Sequence, residues 1–313
     1  YMFTFMNFAR IGTGLQGLAH SELAFQNSLA YSRDRLQMRS LTGPKNPDGP
    51  ADPIIVHPDV RRMLLTQKAF AEGGRALLYF AGTQGDILTL SEDPEAREFA
   101  DHVLNFLTPI IKAFLTETGF ESANLGLQCY GGHGYVNEWG VEQNVRDARI
   151  STLYEGTTGI QALDLLGRKV LGTRGKALAP VAGFILDFCK RSRRRKELRP
   201  YLRTLVRLTK QWKSLTRKIG FAAMRDRDAV GAASVDYIMF SGYVLLGVAW
   251  AASARAAYRR LEQGTSEEAF YRAKIQTAEF YFAKILPRTT SLLQTMATGP
   301  DSLMKMDENQ FIF

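Results

Sequence analysis

The segment Tyr154-Glu155-Gly156-Thr157-Thr158-Gly159-Ile160-Gln161 sets one carboxylate just ahead of a small, hydroxyl-rich turn that opens an amphipathic helix. A carboxylate in that place suits a general base. Thr157 or Thr158 can cap the helix running through Leu163, Leu166 and Val170, and its free N–H groups favour negative charge close to Glu155. Gly156 and Gly159 let a ligand come against backbone where a side chain would block it. A capped helix carrying an ordinary surface glutamate fits the same pattern. Upstream, Gln128-Cys129-Tyr130-Gly131-Gly132-His133-Gly134-Tyr135 reads either as a tight turn between helices or as bare backbone offered to phosphate and cofactor oxygens. His133 is a poor metal candidate, because no second His, Cys or acidic residue stands at ligand spacing from it.

Taken in order, the Gln128 to Tyr135 segment, Arg146-Asp147-Ala148-Arg149-Ile150 and the Tyr154 to Gln161 segment resemble the carboxy-terminal helical domain of the acyl-CoA dehydrogenases. The likeness begins near Arg10, includes Tyr31 to Met38 as a version of a "Y…ER..F" segment, takes in Lys112 and Phe114, and ends near Arg168. Residues from about 175 onward and the loop 41–50 look like the longer bacterial subgroup that includes 3-methylmercaptopropionyl-CoA dehydrogenase.

This resemblance implies FAD-dependent α,β-dehydrogenation of an acyl-CoA thioester, with a short 3-methylthio chain slightly favoured over straight chains. In the family a glutamate removes the α proton while the β hydrogen leaves as hydride to flavin N5, and Glu155 matches that glutamate. Weakly acidic thioester α protons need a base held against the carbon away from water. Gln128, Gly131 and Gly132 match residues that approach FAD, Arg35 matches an arginine that reaches it across a subunit interface, and Thr157 matches a flavin contact. Tyr154 and Gly156 are implied to line the acyl thioester site. Arg168 is carried over as a substrate residue, although it lies one position beyond the usual arginine. The chain departs from the family where Gly159 stands in place of the Gln or Glu of many relatives, where the loop 41–58 is expanded, and where Pro58 replaces a Gln that commonly contacts adenine, which implies a different adenine recognition. The resemblance further implies a homodimer or homotetramer, electron-transfer flavoprotein as electron acceptor, and a bacterial cytoplasmic setting. It also implies that this chain is a piece lacking an amino-terminal helical domain and a β domain, inactive and poor at holding flavin alone. The alternative is a flavin-containing homologue that binds DNA through its basic carboxy-terminal part.

Helical periodicity dominates the elements that must position these residues, and no run alternates as a strand does. We expect an all-α chain, an antiparallel helical bundle over residues 1–172 followed by a second helical domain over 173–313. Helices are expected at 7–37, 59–88, 94–118, 121–130, 141–150 and 158–171, then four more to about residue 296 with a break at 263–266. Pro44, Pro47, Pro50, Pro53 and Pro58 exclude regular structure from the loop 41–58.

With 313 residues, 45% hydrophobic and 23% charged, the composition is that of a globular protein. Cys129 and Cys189 are too few for a disulfide framework, which suits a reducing compartment. The formal charge of +9 is local: between residues 190 and 227 stand 15 Lys and Arg against 2 acidic residues. A helical wheel puts Arg199, Arg203, Arg207, Lys210, Lys213 and Arg217 on one face, and Leu198, Tyr201, Leu205, Leu208, Trp212, Leu215 and Ile219 on the other. The basic face reads as solvated helix surface or as a contact for phosphate, nucleic acid or anionic lipid. Residues 237–254 carry no charge, yet Ser241, Gly242, Gly247 and Ser253 dilute their apolarity, so we expect a buried core helix rather than a membrane span.

Overall fold

The computed structural model describes residues 2–312, with side chains described from residue 6. Three long helices form one end of the molecule: α1 (Met2–Asp34), α2 (Pro58–Leu90) and α3 (Pro94–Tyr130). Pro58 and Pro94 each stand in a first turn, where a missing N–H costs nothing, and the Asp93 side chain caps α3 by accepting from the Glu95 N–H. The single-turn α4 (Gly132–Tyr135), α5 (Val141–Ser151) and α6 (Thr158–Leu163) follow. The second half contributes α7 (Leu178–Ser192), α8 (Arg199–Ala223), α9 (Asp228–Gln263), α10 (Glu268–Phe280), α11 (Arg288–Thr295) and α12 (Asp301–Met304). Among the described residues no strand forms, and a single isolated antiparallel bridge joins Leu36 to Pro53. The all-α expectation holds.

The boundaries differ from expectation in three places. The breaks expected after residues 118 and 263 part company, because α3 runs unbroken through Gly119 whereas α9 stops at Gly264, with φ 81°. Gly119 is a contact rather than a stop: a Cβ there would lie 2.4 Å from the Gly17 carbonyl oxygen of α1, so the glycines let the two backbones touch. The helix expected over 158–171 widens after Leu163 into π turns spanning Asp164–Leu171. Pro287 interrupts the last expected helix, so α10 continues through π turns at Tyr281–Ile285 and α11 starts anew.

One hydrophobic cluster runs through the molecule, from Leu18, Phe70 and Phe114 to Trp212, Trp250 and Met296. Its axis is α9, which packs against α2, α3, α6, α8, α10 and α11. Trp250 is 1% exposed and its indole N–H donates to the Ala69 carbonyl at 3.0 Å, fixing α9 on α2. A Cβ at Gly242 would sit 2.2 Å from the Phe114 ring, so only glycine lets α9 lie this close to α3. The helix has the length and hydropathy of a membrane span, but 78% of its most apolar window is buried inside the protein. The basic face expected on α8 is exposed from Arg199 to Arg217, opposite buried Leu205, Leu208, Trp212 and Ile219.

Candidate active site

Glu155 ends the turn that links α5 to α6, and its backbone is left-handed, with φ 57°. A side chain at positive φ is strained, and such strain persists only where the surroundings impose it. The imposing residue is Gln161, fully buried one turn into α6: its amide N–H donates to the Glu155 carbonyl at 2.9 Å and to the Gly156 carbonyl at 3.4 Å. Gly156 follows with φ 90°, a conformation that suits glycine and completes the reversal. Thr157 caps α6, its hydroxyl accepting from the Ile160 N–H at 3.3 Å. Thr158, the other candidate cap, donates instead to the Glu117 carboxylate on α3. The Tyr154 hydroxyl bonds Gln16 on α1, so the turn is tied to both long helices that flank it.

The side chains around the turn are apolar and open. Phe8, Leu15 and Leu23 stand exposed on α1, and Ile150, Leu153, Tyr154, Ile160 and Leu163 stand exposed from the end of α5 through α6. Leu153, Tyr154 and Ile160 are thus exposed within five residues of the half-buried Glu155, and apolar surface of this kind is built to be covered. Below it, Arg10 donates to Asp164 at 2.8 Å with both side chains only 9% exposed, and Asp164 also accepts from Arg168. Arg168 therefore sits one turn past α6, paired with Asp164 at the edge of the site.

Arg35, Gln128, Gly131 and Gly132 line a second groove, of about 570 Å³, together with Tyr31, His57 and Cys129. Gly131 closes α3 with φ 58° and ψ −135°, and open space surrounds the positions where a Cβ at Gly131 or Gly132 would stand. An aromatic cluster holds this turn: Tyr31 stacks on Tyr130 at 4.0 Å, and His133 stacks on Trp139 at 4.6 Å. The Tyr31 hydroxyl and His133 Nδ1 are 2.9 Å apart, so the histidine is a structural member of the turn. Among the described residues no His, Cys, Asp and Glu cluster could hold a metal ion. Burial pushes the Cys129 thiol up to about 11, which leaves it inert beside the groove. The two halves of the predicted site do not meet within one chain. Gln16 and Tyr31 on α1, and likewise Glu117 and Gln128 on α3, mark their positions, roughly 20 Å apart at 1.5 Å per residue.

Gln161 lies outside the residues that the sequence singles out for function. Its signal was a polar side chain on the buried stripe of α6, in line with Leu165. Lys112 belongs with it: it is 0% exposed on α3, with no hydrogen-bond partner for its Nζ.

Residues 1–171 match the family model described as "Acyl-CoA dehydrogenase, C-terminal domain", and residues 181–307 match "Acetyl-CoA dehydrogenase C-terminal like". The chain is 39% identical over 307 residues to 3-methylmercaptopropionyl-CoA dehydrogenase of Ruegeria pomeroyi, covering 97% of this chain and 51% of that protein. It is 32% identical over 320 residues to the broad-specificity linear acyl-CoA dehydrogenase FadE5 of Mycobacterium tuberculosis, covering 99% of this chain and 52% of that protein. The chain thus spans about half the length of the curated relatives it matches. In fold it is similar to an acyl-CoA dehydrogenase from Bacillus anthracis crystallised with FAD, with TM-score 0.70 and 18% identity over 94% of this chain and 49% of that one.

Proposed function

The chain belongs to the acyl-CoA dehydrogenase family, and from that premise we propose that it is the carboxy-terminal part of an oxidoreductase desaturating an acyl-CoA thioester between its α and β carbons, with Glu155 as the base. The observation that carries this reading is the Glu155 backbone, held at φ 57° by the buried Gln161 amide at the edge of an open apolar surface. A carboxylate fixed in that way meets a carbon acid with its orientation already set, and orientation is what a weak α acid demands. Tyr154 and Gly156 flank it and would line the thioester.

FAD is the cofactor, and the residues present fit it. Gly131 and Gly132 leave their backbone open to a ligand, and Arg35 offers an exposed guanidinium with no ion pair among the described residues. Arg35, Gln128 and the two glycines would hold one part of FAD, and Thr157 another. Held there, it would supply the acceptor for the β hydrogen as hydride. The roughly 20 Å between the glycine turn and Glu155 supports a homodimer or homotetramer in which one subunit's groove serves a site shared with its neighbour. The exposed Phe8, Leu15 and Leu23 stripe gives such an assembly an apolar face to cover. Electron-transfer flavoprotein is the proposed electron acceptor. The relative from Ruegeria pomeroyi favours a short 3-methylthio acyl chain as substrate.

The test is Glu155→Gln in the full-length protein. Flavin content should stay at the wild-type level while turnover falls by roughly 10² to 10⁴, the contribution of a positioned base. Near-normal turnover would remove Glu155 from the role.

A second reading rests on α8, whose cations from Arg199 to Arg217 are exposed and make no ion pair among the described residues. It makes the protein a flavin-containing family member that holds duplex DNA on this face. Binding should then weaken steeply with salt, with a log–log slope near −0.9 per phosphate neutralised. A flat salt titration ends this reading.

A further inference from the structure

Lys112 is an anomaly that the proposed chemistry leaves unexplained. Its side chain is 0% exposed in the middle of α3, and its Nζ meets no hydrogen-bond acceptor. Burying an ammonium without a partner opposes folding, and buried polar groups are almost always paired. Lysine at this position therefore costs stability that an apolar residue of the same length would not.

Its charged surroundings all belong to the site. The Thr158 hydroxyl bonds Glu117 and the Lys169 ammonium bonds the Asn105 carbonyl, so α6 and its π turns run antiparallel along α3 with Lys112 set beside α6, and Glu117, Glu155 in the turn before α6 and Arg10 of α1 are the charged groups that act on it. Arg10 is neutralised by Asp164, and Glu117 is occupied by the Thr158 hydroxyl. On its other side α3 meets α9 through Phe114 and Gly242, which bring no charge. Of these carboxylates, that of Glu155 has no hydrogen bond or ion pair among the described residues.

We propose that Lys112 is a positioning residue for Glu155, a walled-in ammonium that supplies the counter-charge for the carboxylate before it takes the α proton, with Glu117 tempering that charge. The inference rests on the reading of Glu155 as the base. Low-dielectric surroundings make a charge at short range count far more than one in water. Because no hydrogen bond consumes it, the ammonium acts as a field rather than as a clamp. Burial lowers the Lys112 ammonium to about 8, with Glu117 and Glu155 pulling it upward, so the cation is present below that pH.

The experiment measures kcat/KM against pH in the full-length flavoprotein for Lys112→Met, Lys112→Arg and Glu117→Gln, alongside Glu155→Gln. Removing the cation should move the acid limb to higher pH by about one unit, a tenfold loss of kcat/KM at pH values below the limb. Flavin content should hold, and the melting temperature should stay level or rise, because an unpaired buried charge has gone. Lys112→Arg should restore the limb. Glu117→Gln should move it the opposite way, and that sign keeps the proposal testable if Lys112→Met folds poorly. An unchanged pH profile in Lys112→Met, or limbs shifted in the same direction by both variants, overturns the role and leaves Lys112 a structural residue. Normal turnover in Glu155→Gln instead overturns the base itself, and the two failures are read from different variants.

Discussion

At the scale of single residues, two carboxylates in this chain are held by opposite means. Glu155 has its backbone fixed and its carboxylate left open, as the proposed base requires. Asp52 is the reverse: its side chain is fully buried in the proline-rich loop and accepts from the backbone N–H groups of Ser40, Lys45 and Asn46 and from Arg39. Burial would raise its proton affinity, but the hydrogen bonds from Ser40, Asn46, Lys45 and Arg39 outweigh that and bring it down to about 2. A folded-state value below the unfolded one of about 3.9 means that Asp52 contributes stability above about pH 4 and loses it as the pH falls through about 2. We therefore expect Asp52→Asn to melt below the wild type at neutral pH, with the gap closing between about pH 4 and pH 2. A gap that persists unchanged at acid pH would count against this account of the loop. The loop matters to the site because Arg35 and His57, at its two ends, line the groove at the glycine turn.

At the scale of elements, α6 carries out two tasks with one turn of helix. Thr157 caps it, and Gln161 reaches back from its buried face to hold the Glu155 and Gly156 carbonyls. Gln161→Ala removes the only side-chain hydrogen bonds to those two carbonyls among the described residues and leaves the cap intact. Turnover in the full-length protein should drop by about 10-fold to 100-fold, as misplacement of a reacting group by about 1 Å does. Flavin content should hardly change, since Gln161 lies away from the groove at Gly131 and Gly132. A variant with wild-type kcat would show that the left-handed turn holds itself. The α1 and α3 pair forms the rigid floor for this device, with Gly17 and Gly119 in backbone contact where any larger residue would push the helices apart.

At the scale of the whole molecule, the two family-model regions share one core. Phe70 and Phe114 from the first region pack with Tyr243 and Trp250 of α9 in the same cluster, and Arg288 of α11 bonds Glu121 of α3 through both carboxylate oxygens at 2.7 and 2.8 Å. A chain cut after residue 172 would expose these faces to water. We expect it to lack a cooperative melting transition and to bind a hydrophobic dye, readouts that calorimetry and fluorescence give directly. A sharp transition for residues 1–172 would show that α9 is dispensable to the first bundle.

Much of this was legible in the chain itself. Helices, the capped turn at Thr157, the glycine turn at Gly131 and the cationic face of α8 are written in local chemistry: period, cap residues, glycine and proline, each acting over a few neighbours. The buried fate of residues 237–254 was legible for the same reason, because their diluted apolarity suits helix neighbours better than lipid. Tertiary structure alone decided that Gly119 joins helices instead of ending one, that Gln161 turns inward to set the Glu155 backbone, and that Lys112 is buried with nothing to bond. Those outcomes depend on residues far apart in sequence, Gly17 with Gly119 and Glu117 with Thr158, meeting at distances that only the packed helices fix. A linear pattern records which residues could make such contacts, and the close-packed interior decides which of them do.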